Sequence, residues 1–252
     1  MNKTNMEVTR QELLDVTIPT QTNRYKPVSH GNLINMTLEH IDKAGFVVKK
    51  ETYTAAQKGL IATAYYDLEY GGDPEVGLRV AWQNSYNKQV SLKYALGLNV
   101  FVCTNGCFYG DIGAFKKKHT GIVQEFTPAK IDEYFTSADG VYSNLVQHKN
   151  RLKEIELSKK VMAQLIGEMY VTEAILKETQ VSIMKREVEK ESYDYGVMGT
   201  AWNLYNAATH SFKSLHPTDY LETHNKLHNF FVNEFGLIEA PDNVAFELEL
   251  VN

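Results

Sequence analysis

The sequence predicts an α+β fold: a curved antiparallel β-meander packed against a long helix, followed by a helical C-terminal region. Residues alternate from Val76, with Val76, Leu78, Val80 and Trp82 on one side and Arg79, Ala81 and Gln83 on the other. The same register returns at Val90, Leu92, Tyr94 and Leu96 against Ser91, Lys93, Ala95 and Gly97. Period-two alternation marks a strand with one buried and one wetter face. Apolar residues then recur at helical spacing from Ile131 onward, through Phe135, Val141, Leu145 and Leu152. Strands followed by helices, rather than alternating with them, point to α+β and not α/β.

Thr9-Arg-Gln-Glu12 reads as a capping box before a short helix through Leu14. A polar segment with Pro19 and Pro27 follows, so residues 1–30 are expected to form an N-terminal arm, either disordered or gripping a neighbouring subunit. Ser29 to Ala44 is a helix carrying Leu33, Ile34, Leu38 and Ile41, closed by Gly45. Phe46 to Tyr53 and Leu60 to Tyr70 are strands. In the second, Leu60, Ala62, Ala64, Tyr66, Leu68 and Tyr70 face in, while Ile61, Thr63, Tyr65, Asp67 and Glu69 face out. Gly71-Gly72-Asp73-Pro74 turns the chain into the Val76 strand, and these neighbours make an antiparallel meander. Leu98 to Thr104 is apolar on both sides and predicts a segment covered on both faces. Asn105-Gly106 predicts a two-residue type I′ hairpin, pairing Thr104 with Cys107 and Cys103 with Phe108.

Thr127-Pro128 has the signature of an N-cap and first helical residue. A helix from Pro128 to Leu157 would span roughly 45 Å, with Asp139-Gly140 as the place where it bends or breaks. Residues 31–157 are therefore expected to form the α+β core and 158–252 a helical C-terminal region. Ser158 caps one helix there, Ile175 to Met184 belong to another, and Thr200 to Phe212 and Pro217 to Phe235 form two more, the last stopped by Gly236. The charged run Lys185 to Glu191 reads as a solvated helix end or linker.

The chain of 252 residues can bury a full core, and a net charge of −5 excludes a generally basic nucleic-acid binder. Any such site must be a local patch. The polar start MNKTNMEVTRQ is no signal peptide and no apolar run is long enough to span a bilayer, which places the protein in a cytoplasm, with no membrane partner. In the predicted hairpin the pleat sends the sulfurs of Cys103 and Cys107 to opposite faces, so neither a disulfide nor a shared metal is expected.

Enzyme signatures are thin: no Gly-rich phosphate loop, no G-x-S-x-G elbow and no H-E-x-x-H motif occurs. His224 and His228 lie four apart on one helix, a spacing that can share a metal only with further ligands, and the sequence fixes none. No metal and no cofactor are expected. Asn203, Asn206 and His210 form a polar stripe that is either a buried hydrogen-bond network or a ligand contact. The basic run Lys116-Lys117-Lys118-His119 follows the hairpin and adjoins, in sequence, a sheet face bearing Arg79, Gln83, Lys93 and Tyr65. Cationic side chains bind phosphates through charge and tyrosines stack on bases. Ala81, Ala95 and Gly97 on that face would let a nucleic-acid strand, or equally another protein layer, approach closely.

The segment NSYNKQVSLKYALGLNVFVCTNGCFYGD, with KKKHTG after it and TAWNLYNAATH later, resembles the phage/plasmid-like family, a domain of unknown function found on phage, plasmid and prophage genomes. Asn84-Ser85 matches that family's N-S turn, Val102, Cys103, Asn105 and Gly106 its V-C-x-N-G segment, and His119-Thr120 its H-T pair. Where members often carry D-G after the N-S, this chain has Asn87-Lys88, which predicts a different turn. The resemblance is good from Arg79 to Gly121 and looser over the C-terminal helices around Asn203 and Asn206. It implies a genomic setting rather than a reaction. The order helix, meander, long helix also looks like the core of single-strand annealing proteins, which act as rings in phage recombination.

The expected function is thus a phage- or plasmid-type single-stranded DNA-binding or annealing protein acting in recombination or replication as a homo-oligomer. Arg79, Lys93, Lys116, Lys117, Lys118 and His119 would contact phosphates and Tyr65 would stack. The alternatives are an anti-defence or interaction protein that binds a host protein or a small nucleotide signal, and a hydrolase using the histidines.

Overall fold

The structure is a computed structural model and describes residues 6–23, 25–101, 106–108, 114–117, 131–133 and 135–237. Its centre is one antiparallel sheet of β1 (Met6–Val8), β2 (Val48–Ala56), β3 (Ile61–Leu68), β4 (Val76–Ser85), β5 (Leu92–Val100), β6 (Gly106–Phe108) and β7 (Ala114–Lys117). The order is β1-β2-β3-β4-β5-β6, and β7 pairs with the start of β5. The predicted meander is therefore present as β2 to β5. Trp82 stands opposite Ala64 on one side and Tyr94 on the other, and Val80 opposite Tyr66 and Leu96. Cross-strand neighbours share a face, and Val80, Trp82, Leu92, Tyr94 and Leu96 are all fully buried. Helix α2 (His30–Lys43) adds Leu33, Ile34 and Ile41 to the same core. Ser29 caps it, accepting from the Asn32 N–H at 2.9 Å, and Gly45 follows with φ +78° as a left-handed C′ residue.

The chain before α2 does not reach away as an arm where it is described. Thr9 and Glu12 form the predicted capping box of α1 (Arg10–Leu14), β1 pairs with β2, and the Tyr25 hydroxyl donates to the Tyr86 carbonyl at 3.1 Å. This segment is the first layer of its own sheet.

The long helix is shorter than expected: α3 runs from Ala138 to Glu154, with residues 131–133 and 135–136 helical before it. The break falls at Ser137 (φ −92°, ψ 0°), two residues ahead of the Asp139-Gly140 expectation. Pro128 lies outside the described residues. Helix α3 packs along β5 and is pinned to the β3–β4 turn by charge. The buried Lys149 donates to both Asp73 oxygens at 2.6 and 2.7 Å and to Glu75 at 2.7 Å, and Lys153 donates to Glu75 at 2.6 Å. Burial pushes the Asp73 and Glu75 carboxyls up, but the lysine hydrogen bonds outweigh it and leave both below their ordinary values.

Helices α4 (Lys159–Val171), α5 (Glu178–Glu189), α6 (Ala201–Ser211) and α7 (Tyr220–Phe235) complete the chain. Ser158 and Thr200 cap α4 and α6 as read from sequence, and Gly236 ends α7 with φ +57°. One cluster of buried side chains runs from Leu13 to Leu237, so the expected division at residue 157 does not interrupt the core.

Two expectations about the sheet fail for one reason, the weight of long-range packing. The face expected to be wet is covered, and every residue of β4 is buried. Leu221 of α7 packs on Ala81 and Ala95, with Tyr65 and Tyr220 at the margin. The small alanines let a helix come close, and this chain's own helix does so. The strand pairing expected beside Asn105-Gly106 also differs: Cys107 pairs with Leu98 and Phe108 with Gly97, not with Thr104 and Cys103. Cys103 and Asn105 lie outside the described residues.

Candidate nucleic-acid interface

The sheet-face residues predicted to touch phosphate are already engaged within the fold. Arg79 is buried, and its Nε and Nη2 donate to Asp67 Oδ1 and Oδ2 at 2.5 and 3.0 Å, a bidentate pair. Tyr65 lies with its ring 5.5 Å from that guanidinium and edge-on to Tyr220 at 6.2 Å, and burial pushes its phenol well up. Lys93 is buried too; its Nζ donates to the Thr218 carbonyl at 3.0 Å and sits 3.6 Å from the Glu222 carboxylate. Gln83 is buried and donates to Thr63 at 3.2 Å. Lys116 and Lys117 stand in β7 opposite Lys93 and Leu92, whereas Lys118 and His119 lie outside the described residues.

The meander instead gathers cations at one end of its strands. There the β2–β3 turn (Gln57–Leu60), the β4–β5 turn (Tyr86–Ser91) and the last residue of β7, Lys117, lie at the same end of their ladders. Side-chain amides stitch the two turns together. Asn87 Nδ2 donates to Gln57 Oε1 at 2.8 Å and Gln57 Nε2 to Gln89 Oε1 at 2.8 Å, while the Tyr86 N–H reaches the Leu60 carbonyl at 2.7 Å. Lys58 and Lys88 project from the tips, exposed, and neither enters an ion pair among the described residues. The Lys88 ammonium lies 4.6 Å from the centre of the Tyr25 ring. Carboxylates collect at the opposite end of the strands, where Asp73 and Glu75 hold α3 through Lys149 and Lys153.

Asn84 and Ser85 build this basic end. Ser85 Oγ donates to the Val90 carbonyl at 2.7 Å and accepts from the Val90 N–H at 3.1 Å, closing the β4–β5 turn. Asn84 Nδ2 donates to the Val28 carbonyl at 2.8 Å and lies 3.0 Å from His30 Nδ1. His30 Nε2, 3.0 Å from the Gly59 carbonyl, must be the protonated nitrogen because a carbonyl only accepts. One buried imidazole thus fixes both turns, and it stacks on Tyr86 with ring centres 4.0 Å apart.

Lys58 and Lys88 escaped the sequence reading because each is a lone lysine in a separate turn. Their backbone carries a signal that only the structure shows. Gln57, Lys58 and Lys88 have φ of 52°, 59° and 63°, a left-handed region that costs a side-chain-bearing residue about 1 kcal/mol or more. Lys88→Gly is therefore expected to raise stability in urea by about 0.5–1 kcal/mol while removing a cation from the tip. A destabilised variant would show that the turn is held by contacts of the lysine itself.

A comparison with known families bears on the whole of this architecture. The family described as Domain of unknown function (DUF932) matches residues 19–228, most of the chain. The chain belongs to that family. No curated protein and no solved structure matches it. The match begins before α2 and ends within α7, so the DUF932 region takes in both the meander and the helix that covers it.

In this DUF932 chain the remaining candidates are built into the core. Asn203 Oδ1 accepts from the Thr200 N–H at 2.9 Å as part of the α6 cap, and Asn206 Nδ2 donates to the Trp202 carbonyl at 2.9 Å. His224 packs edge-on against Phe212, and burial lowers its pKa to about 3. His228 Nε2 lies 3.1 Å from His148 Nδ1, and His228 Nδ1 lies 3.2 Å from the Tyr205 hydroxyl. Burial, with His148 beside it, holds the His228 pKa well below the ordinary value. Among the described residues no three His, Cys, Asp or Glu side chains are placed to hold a metal, and no helix is long and apolar enough to cross a membrane.

Proposed function

We propose that this chain binds single-stranded nucleic acid along the lysine-bearing end of its sheet. Its role on this reading is that of a phage- or plasmid-type binding or annealing protein in recombination or replication, working as a homo-oligomer in the host cytoplasm. The observation that carries the reading is the convergence of Lys58, Lys88 and the Lys116–Lys117 end of β7 at one end of the meander. Lysines meet phosphates as point charges, and the amide tips of Gln57, Asn87 and Gln89 are occupied with one another, so the site suits a backbone and not a base sequence. The buried Arg79 and Lys93 and the partly buried Tyr65 then act by holding the strands and α7 together.

The test is anisotropy of a labelled oligothymidylate over stepped salt. Each phosphate contact to a single strand contributes about 0.7 to the log–log slope, so Lys58→Ala with Lys88→Ala should flatten it by about 1.4. Changing Lys116, Lys117 and Lys118 together to glutamate should weaken binding strongly and equally across sequences, with folding intact. Wild-type protein that ignores single strands even at low salt sinks the proposal.

A further inference from the structure

Helix α4 (Lys159–Val171) buries only Met162, Leu165 and Met169, whereas α2, one residue longer, buries six side chains. The rest of α4 is not correspondingly polar. At about 100° per residue, Lys160, Ala163, Gln164, Gly167, Tyr170 and Val171 fall on the side opposite the buried row. Val161, Tyr170 and Val171 are 37, 39 and 77 % exposed. This second, partly apolar stripe faces water, and no described element packs on it.

Gly167 sharpens the point. An interior glycine weakens a helix relative to alanine. Nothing lies within 4 Å of where a Cβ on Gly167 would sit, so packing among the described residues does not require it. With Ala163 one turn earlier it leaves a low spot in the middle of the exposed face, where a second helix can come close.

The charges of α4 run against its own dipole. Lys159 and Lys160 open the helix, where free N–H groups favour anions, and Glu168 and Glu173 stand at its C-terminal end, where free carbonyls favour cations. All four are exposed, and none enters an ion pair among the described residues. An antiparallel copy of the same helix would relieve both ends. With a two-fold axis beside Ile166 and Gly167, Lys160 comes opposite Glu173 of the second copy, Ala163 opposite Tyr170 and Val161 opposite Thr172.

We propose that the outer face of α4 is where two copies of this chain associate, antiparallel about that axis. The charge pattern complements itself, which selects a second copy over an unrelated partner. The inference concerns association alone and stands whether or not the chain binds a strand.

Sedimentation velocity of the full chain without nucleic acid tests it, so failure here leaves the strand-binding test untouched. Two 13-residue helices, each about 20 Å long, make a small interface, and dimers with a Kd on the order of micromolar are expected. Gly167→Lys favours the helix but fills the low spot, and should leave only monomer with circular dichroism unchanged. Lys160→Glu or Glu173→Lys alone sets like charges together twice per dimer and should raise Kd by about tenfold. Combining the two should return Kd to near the parent value. The proposal is overturned by a parent chain that stays monomeric at about 100-fold above that expected Kd. It is overturned equally by a dimer that Gly167→Lys leaves intact, or by a double charge variant no better than the single ones. A monomeric parent whose binding to lipid vesicles is lost in Tyr170→Ser with Val171→Ser would assign the face to a membrane surface instead.

Discussion

Lowering the pH from 6.5 to 4.5 is expected to remove about 2 kcal/mol of folding stability through His224, with a further loss from His228. The groups responsible are His224 and His228, whose folded pKa values are depressed by burial, to about 3 for His224 and well below the ordinary value for His228. A histidine with a depressed folded pKa binds its proton more readily when unfolded. Stability therefore falls as pH drops below the unfolded value near 6.5, by about 1.4 kcal/mol per pH unit per group, until the folded pKa is reached. Geometry gives the same sign. His228 lies between His148 Nδ1 and the Tyr205 hydroxyl, and a second proton on the pair would set two N–H groups facing each other at 3.1 Å. A domain is typically stable by only about 5–15 kcal/mol, so a loss of this size is a large share of the total. The carboxylates with lowered values, Asp73, Glu75 and Asp219, lose their contribution only at lower pH, as it falls toward their folded pKa values. Urea titrations at stepped pH measure the slope, and His224→Gln should reduce it by about one proton. A urea midpoint that stays constant from pH 6.5 to 4.5 refutes the account.

The inward register was legible because it is local. Alternation at Val76–Trp82 and Leu92–Leu96 places the same residues inside in the structure, and Thr9, Ser29, Ser158, Thr200 and Gly236 cap helices where their side chains or backbone freedom allow. What failed depended on partners distant in sequence. Nothing near Ala81 announces that Leu221 will cover it, and nothing near Cys107 announces that it will pair with Leu98. The basic run was visible as a run, but Lys58 and Lys88 belong together only once β3–β4 and β4–β5 pairing sets their turns side by side.

Arg79→Ala is expected to cost about 3–5 kcal/mol, since it strands the Asp67 carboxylate under α7 without its bidentate partner. Replacing both members with apolar residues of similar volume, Asp67→Leu with Arg79→Met, should cost far less, because no charge is then left buried. The contrast separates two roles that sequence could not distinguish. An arginine that contacts phosphate would lose strand binding in both variants and flatten the salt slope by about 0.7. An arginine that only braces β3 against β4 should leave the double variant binding like the parent wherever it is folded. Paired urea melts and salt titrations on the two variants decide the matter. A folded, undiminished Arg79→Ala protein with weakened strand binding would return Arg79 to the interface and require α7 to leave the sheet when nucleic acid binds.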